Sequence, residues 1–331
     1  MSDYLKLLDK LQPENSSKNG YKVLDLFAGC GGLALGFEAA GFETIGYEKE
    51  PDAVKTYNNN LAGHCYEELL STETPFPDLD IIIGGPPCQP FSVGGNQGGL
   101  NDSRDGFPIF ISAVERIKPT LWMFENVRGM LYRNKKYLGE IINTLGNLGY
   151  KISFQIIKAV NYQVPQNRER LVVVGHKGGF DFPHSHDHKF TAGDAISDIA
   201  YLVDNNSKFL SKSQDAYVAR YEKASKCINP RDLHLDRPAR TVTCRNLAGA
   251  TGDMLRVKLP DGSRKRLTVR EGARLQSFPD WFTFHGTEIS QFNQIGNAVP
   301  PIMSYHLATR ILSYLNNEVF ESEQNKQLAF L

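Results

Sequence analysis

Apolar positions along the 331-residue chain follow two rhythms, and the change between them marks its organisation. From Tyr21 to about His176, apolar runs at 23–27, 44–47, 81–83, 121–124, 152–159 and 171–175 read as strands. Between them, 32–40, 52–59, 109–117 and 137–148 carry apolar residues at helical spacing. That alternation predicts an α/β domain over 21–176 with a doubly wound, mostly parallel sheet. Ahead of it, Tyr4, Leu5, Leu7, Leu8 and Leu11 predict a short amphipathic helix in an N-terminal extension, 1–20. Residues 177–266 lose the rhythm, keeping only strand-like pieces at 241–244 and 255–259 and a hairpin turn at Asp261-Gly262. They read as a separate small domain, irregular and β. Helical spacing returns at 269–275, and an amphipathic helix at 302–315 closes a segment, 267–331, expected to rejoin the first domain.

Charge changes the picture more than composition does. The chain has 37 Lys/Arg and 37 Asp/Glu, so its net charge is zero. The count from Lys177 to Arg270 is 17 Lys/Arg against 11 Asp/Glu, which leaves the remainder acidic by the same margin. A basic module beside an acidic one suggests a polyanion held mainly by one part of the protein. Five scattered cysteines without a CxxC pair speak against a zinc ribbon or a disulfide framework and fit a reducing compartment. No apolar stretch reaches membrane-spanning length and the polar N-terminus lacks a signal-peptide core, so a cytosolic protein is expected.

The chemistry gathers where predicted strands end. Gly84-Gly85-Pro86-Pro87-Cys88-Gln89-Pro90-Phe91-Ser92 puts one cysteine in a Pro-rich loop after the run at 81–83. Flanking prolines exclude a helix or a central strand there, so the thiol sits on a stiff loop at a strand's carboxyl end. It is either a nucleophile or a loop thiol kept for packing. Strand 23–27 runs into Ala28-Gly29-Cys30-Gly31-Gly32, a turn that lets backbone approach a nucleotide-like cofactor or simply turns the chain. Glu48 ends the next strand, where a carboxylate can accept from both ribose hydroxyls or stand solvated. Glu125-Asn126-Val127 puts a carboxylate on the same sheet edge as Cys88, suited to proton donation beside a thiolate or to a helix N-terminus. Arg168 and Arg170 alternate along an extended chain and can fork onto one carboxylate or phosphate, or form an ordinary surface ion pair. The tract His184-Ser185-His186-Asp187-His188 lacks a completing Cys/His cluster and reads as a solvated loop, with no metal expected.

In order along the chain these motifs resemble the cytosine-C5 DNA methyltransferase family. The likeness runs from Asp25-Leu26-Phe27-Ala28-Gly29-Cys30-Gly31-Gly32 through the Cys88 loop, Asp102-Ser103-Arg104, Glu125-Asn126-Val127 and Gln166-Asn167-Arg168-Glu169-Arg170. It closes with Arg270-Glu271-Gly272-Ala273-Arg274-Leu275-Gln276-Ser277-Phe278-Pro279 and Gly296-Asn297-Ala298-Val299-Pro300. The irregular basic stretch falls where the family keeps its variable target-recognition domain.

The resemblance implies a Rossmann-like fold, S-adenosylmethionine as methyl donor, and transfer to C5 of a cytosine flipped out of duplex DNA. By the same likeness Cys88 is the nucleophile at C6, Glu125 serves N3, Arg170 holds Glu125 and the base carbonyl, and Arg168 orients the cluster. Phe27, Gly29, Gly31, Gly32, Glu48, Glu68, Gly85, Asn297 and Ala298 would hold the cofactor. Gln89, Ser92, Asn126 and Thr241 would meet the substrate. Lys49 stands where an apolar residue is common, and Glu68 where Asp is usual. The size and motif order imply a restriction–modification enzyme paired with a cognate endonuclease, and a monomer, since one flipped base needs one pocket. Two other readings are a tRNA cytosine methyltransferase, whose Cys-Phe-Thr signature is missing from 177–266, and a non-enzymatic DNA-binding regulator. A decayed scaffold would not be expected to keep Cys88, Glu125, Arg168 and Arg170.

Overall fold

The computed structural model describes residues 2–13, 16–87, 105–224, 226, 232–249 and 252–317. Strands β1 (Lys22–Leu26), β2 (Glu43–Glu48), β3 (His64–Glu67), β4 (Ile81–Gly84) and β5 (Leu121–Val127) run parallel in the spatial order 3-2-1-4-5. They are followed by β6 (Lys151–Lys158), the two-residue β7 (Gln166–Asn167) and β8 (Glu169–His176). β8 inserts between β5 and β6, antiparallel to both, and completes a seven-stranded sheet. The order reverses between β1 and β4, and such a switch point opens a crevice at the carboxyl ends of the strands.

Two helical layers explain why the strands read as near-continuous apolar runs. Ile81, Ile83, Met123, Val172 and Val174 face one core, and Ile82, Trp122, Phe124, Leu171 and Val173 the other. Along the chain come helices α1 (Asp3–Asp9), α2 (Gly32–Ala39), α3 (Pro51–Asn60), α4 (Phe107–Ile117) and α5 (Lys135–Asn147). They continue as α6 (Ala192–Ile196), α7 (Lys212–Ala224), α8 (Cys244–Ala248), α9 (Val269–Leu275), α10 (Glu288–Asn297) and α11 (Pro301–Leu315). The first core includes α2 and α11, whereas α4 and α5 cover the second. The C-terminal segment therefore packs in the same layer as α2. The N-terminal helix is tied in as well: the Tyr4 hydroxyl donates to Arg274 O at 2.6 Å.

Several elements lie outside the periodic reading, the short α6 among them. Only Cys65 of β3 is buried, so this edge strand has no apolar run to betray it. In α7 only Val218 is buried, and in α10 the buried face mixes Phe292 and Ile295 with Gln294 and Gly296. The strand-like piece at 241–244 is corrected: Thr243 accepts from Asn246 N–H in a reciprocal capping box and starts α8 at Cys244. Extended chain there is confined to β9 (Ala239–Arg240), which pairs parallel with β7, and the residues just after it. The expected hairpin joins β10 (Arg256–Lys258) to β11 (Arg264–Arg266), turning through Gly262 at φ +85°. No helix among the described residues is long and apolar enough to cross a membrane.

Where α2 meets α11 the backbones touch. A Cβ on Gly36 would stand 2.4 Å from Ser304 Cβ and from Tyr305 N. Gly36→Ala is expected to lower the unfolding free energy by about 1–3 kcal/mol, the usual range for overpacking. Urea titration reads it, and an unchanged midpoint would mean that the helices separate freely.

Candidate active site

The carboxyl ends of β1, β4 and β5 carry the candidate residues. β1 runs into Phe27 (φ 60°), Gly29 (φ 56°) and Gly31 (φ 88°), a left-handed turn that Gly31 closes as the N-cap of α2. Positive φ at a phenylalanine is a strained state that surrounding structure must hold. Here Phe27 packs against Gly106, where a Cβ would stand 2.8 Å from Phe27 Cζ. The turn is open at Gly29 and closed at Gly32, where a Cβ would lie 2.6 Å from Val299 O and 3.0 Å from Ala298 Cβ. Ala298 packs against the glycine turn, while Asn297, at the end of α10, is exposed.

Glu48 organises the same turn. Its Oε2 accepts from Gly29 N–H at 3.0 Å, and its Oε1 from Lys49 and Glu50 N–H at 2.8 and 3.0 Å. Glu68 N–H donates to Glu48 O at 2.9 Å, which sets the second expected acid beside it. Asp25, in the middle of β1, was in the sequence motif without a role. It is 1 % exposed and neither carboxylate oxygen has a hydrogen-bond partner. Burial pushes its pKa well above the ordinary carboxylate range, and the nearby Glu48 adds to the shift.

Glu125 is almost buried, and Arg170 Nε lies 2.7 Å from its Oε1 as a close ion pair. A Cβ on Gly85 would stand 3.9 Å from Glu125 Oε2, so the chain leaving β4 passes beside this carboxylate. Asn126 Nδ2 donates to Pro86 O at 2.9 Å, and Gly106 N–H donates to Pro87 O at 2.9 Å. Asp105 accepts from Phe107 N–H at 3.1 Å and from the Tyr137 hydroxyl. The chain entering the stretch 88–104 is thus tied beside Glu125, and the chain leaving it is tied to Pro87 and Tyr137. Cys88, Gln89 and Ser92 themselves lie outside the described residues.

Arg168 and Arg170 do not fork onto one carboxylate, as their spacing allowed. Arg168 falls between β7 and β8 and turns inward, donating to Val242 O at 2.8 Å, Ala298 O at 3.0 Å and Gly296 O at 3.4 Å. Burial brings its pKa down to about 9. The Thr241 hydroxyl donates to Asn167 O at 2.6 Å, and Asn126 spends its amide on the Pro86 carbonyl. Both side chains hold backbone in this structure. Gln166 and Gln276, inside motifs but given no role, turn out to be bridges. Gln166 Oε1 accepts from Val242 N–H at 3.0 Å, and its Nε2 donates to Gln276 Oε1 at 2.6 Å; Gln276 donates in turn to Ala298 O at 2.6 Å.

A sheet with this switch point, a glycine turn over α2 and an acid ending β2 define a Rossmann-like methyltransferase fold. Residues 21–313 match the model of the C-5 cytosine-specific DNA methylases. The chain belongs to that family and is an enzyme of it. It is 56% identical over 299 residues to the Type II methyltransferase M.AplI of Arthrospira platensis, covering 89% of this chain and 87% of that one. It is 34% identical over 351 residues to M.NgoFVII of Neisseria gonorrhoeae, covering 95% and 92%. The fold of the S. pombe Dnmt2 methyltransferase superposes with a TM-score of 0.68 at 16% identity, over 90% of this chain and 99% of that one.

Because Asp25 has a higher pKa folded than unfolded, its stabilising contribution is full below about 3.8 and is lost as pH rises through the folded value. Asp25→Asn is therefore expected to raise the thermal midpoint of the ligand-free protein at pH 8 and to give no gain at pH 4. Equal shifts at both pH values would dismiss the orphaned carboxyl as a source of instability.

Proposed function

We propose that this enzyme methylates C5 of one cytosine within a short duplex DNA sequence, using Cys88 as nucleophile and S-adenosylmethionine as donor. The observation that carries the reading is the Glu125–Arg170 pair beside the pinned base of the Cys88 loop.

C5 of cytosine is a weak nucleophile. Addition of the Cys88 thiolate to C6 pushes electron density towards C5, and Glu125 serves N3 with a proton so that charge does not build up on the ring. Arg170 keeps the Glu125 carboxyl aimed and shared. Once C5 has taken a methyl group it is tetrahedral, and loss of H5 as a proton to a base with expulsion of the Cys88 thiolate would then restore the aromatic ring. The target must leave the base stack to reach this crevice.

Residues present fit the donor. The Asp25 carboxyl, buried without a partner in the strand that feeds the glycine turn, suits a ligand that brings positive charge. Phe27 would stack on the adenine, Glu48 and Glu68 would take the ribose and adenine amino group, and Gly29, Gly31, Gly32, Gly85, Asn297 and Ala298 would wall the pocket. When bound, S-adenosylmethionine supplies the electrophilic methyl group that activated C5 takes. Glu48 already fixes the turn by its bond to Gly29 N–H, so the cradle is preformed.

The basic stretch 177–266 would choose the sequence, with Lys and Arg on phosphates making affinity salt-dependent. Likeness to Type II methyltransferases supports a modification enzyme paired with a cognate nuclease. In this reading the enzyme acts as a monomer in the cytoplasm.

Unmethylated genomic DNA treated with protein and S-adenosylmethionine, then read by conversion sequencing, tests the proposal. Protected cytosines are expected in one short motif, with none for Cys88→Ala and a rate about 10²-fold or more lower for Glu125→Gln. Protection by the Cys88→Ala protein, or none by the wild type, would overturn it.

A further inference from the structure

From Val127 to Gly139 the chain carries Arg128, Arg133, Lys135 and Lys136 and no Asp or Glu, in a protein whose net charge is zero. All four side chains are exposed, as are Val127 and Tyr132, the latter at 68 %. We infer that this basic, aromatic shelf at the rim of the crevice binds the phosphate backbone of the DNA flanking the target cytosine. The inference rests on the DNA-methylating reading and adds a binding surface apart from the 177–266 region.

Its position is fixed by three ties. The segment follows Glu125-Asn126 directly, in a 3₁₀ turn over Arg128–Leu131. Arg128 reaches Glu169 at 2.6 Å, and Glu169 precedes the Arg170 that holds Glu125. Lys158 also approaches Glu169 at 3.5 Å, so the acid that meets Arg128 is already shared between two cations. At the other end of the shelf Tyr137 is buried and donates to Asp105, where the chain returns from the Cys88 loop. In the proposed reading, the backbone of a duplex that presents a base to Glu125 would run beside this segment.

The chemistry suits a nucleic acid backbone. Four exposed cations gather along a stretch that holds no acid of its own, and such a cluster attracts a polyanion. Lys135 and Lys136 line an open groove on α5 together with Gly139, Ile142 and Asn143. The Arg128 guanidinium lies 5.7 Å from the centre of the Tyr132 ring, which stiffens an exposed aromatic face against which a sugar can pack. Phosphate contacts of this kind position a duplex without reading its sequence.

The test is fluorescence anisotropy of two unrelated labelled duplexes, each about 30 base pairs, titrated at several salt concentrations without cofactor. An Arg133→Ala/Lys136→Ala protein is expected to bind both duplexes several-fold more weakly, by similar factors. The slope of log affinity on log salt should become shallower by about two, roughly one for each phosphate that is no longer neutralised. Lys10→Ala, just beyond α1, serves as the comparison and is expected to keep the wild-type slope. Matching melting midpoints establish that the double variant is folded; should it not fold, single Arg133→Gln and Lys136→Gln proteins must each remove about one unit of slope. Wild-type affinity and slope in these variants would overturn the shelf. A wild-type protein that binds DNA but protects no cytosine would defeat the proposed reaction and leave the shelf standing.

Discussion

Arg168 is 1 % exposed, and a guanidinium stripped of water to that degree stays charged only where oxygens replace its hydration. The oxygens come from backbone: Val242, Gly296 and Ala298 all turn a carbonyl towards it. Two of the three lie at the carboxyl end of α10, where carbonyls have no helical partner and the dipole favours a cation. Each such bond to a charged donor is worth about 1.5–3 kcal/mol, set against the desolvation of the ion. Gln166, two residues earlier, repeats the device with neutral groups, binding Val242, Leu275 and Gln276. One short stretch between β6 and β8 thereby fixes both the chain leading into α8 and the C-terminal segment.

The glycine turn depends on that anchor. Gly32 can sit against Val299 O and Ala298 Cβ only because the C-terminal chain is held at a set distance, and a Cβ would already collide at 2.6 Å. The wall beside the glycine turn is thus built from residues more than 260 positions further along the chain. The same economy appears on the catalytic side. Asn126 follows Glu125 and ties down Pro86, so the carboxylate and the loop that leads to Cys88 are positioned by one strand end. Rigid elements hold the Glu125–Arg170 pair and the chain leaving β4, so their spacing is set by the sheet.

Much of this was legible in the sequence because burial on both faces leaves a plain signal. Ile81-Ile82-Ile83 reads as a strand from any window, and it forms the centre of the sheet. The direction of β8 was not legible: an apolar run carries no sign, and only pairing with β5 and β6 shows it to be antiparallel. Polar elements escaped for the converse reason, α7 with only Val218 buried and β3 with only Cys65. At the site, the family likeness implied the Glu125–Arg170 pair, yet alternation misplaced Arg168. Period-two reasoning assumes a continuous strand, and the chain breaks between Asn167 and Glu169.

Where a motif's side chains point is therefore a different question from what they are. Gln166, Arg168 and Asn126 lie in the motifs that carry the family likeness, Thr241 was expected at the substrate, and in this structure all four hold backbone carbonyls or amides. Asp25 is the exception, a buried carboxyl in β1 that holds nothing. A motif residue with a protein partner accounts for its burial by structure alone, whereas one without a partner leaves an energetic cost that structure does not explain. By that criterion Asp25, more than any of the bridging residues, carries a cost of burial that the fold itself does not account for.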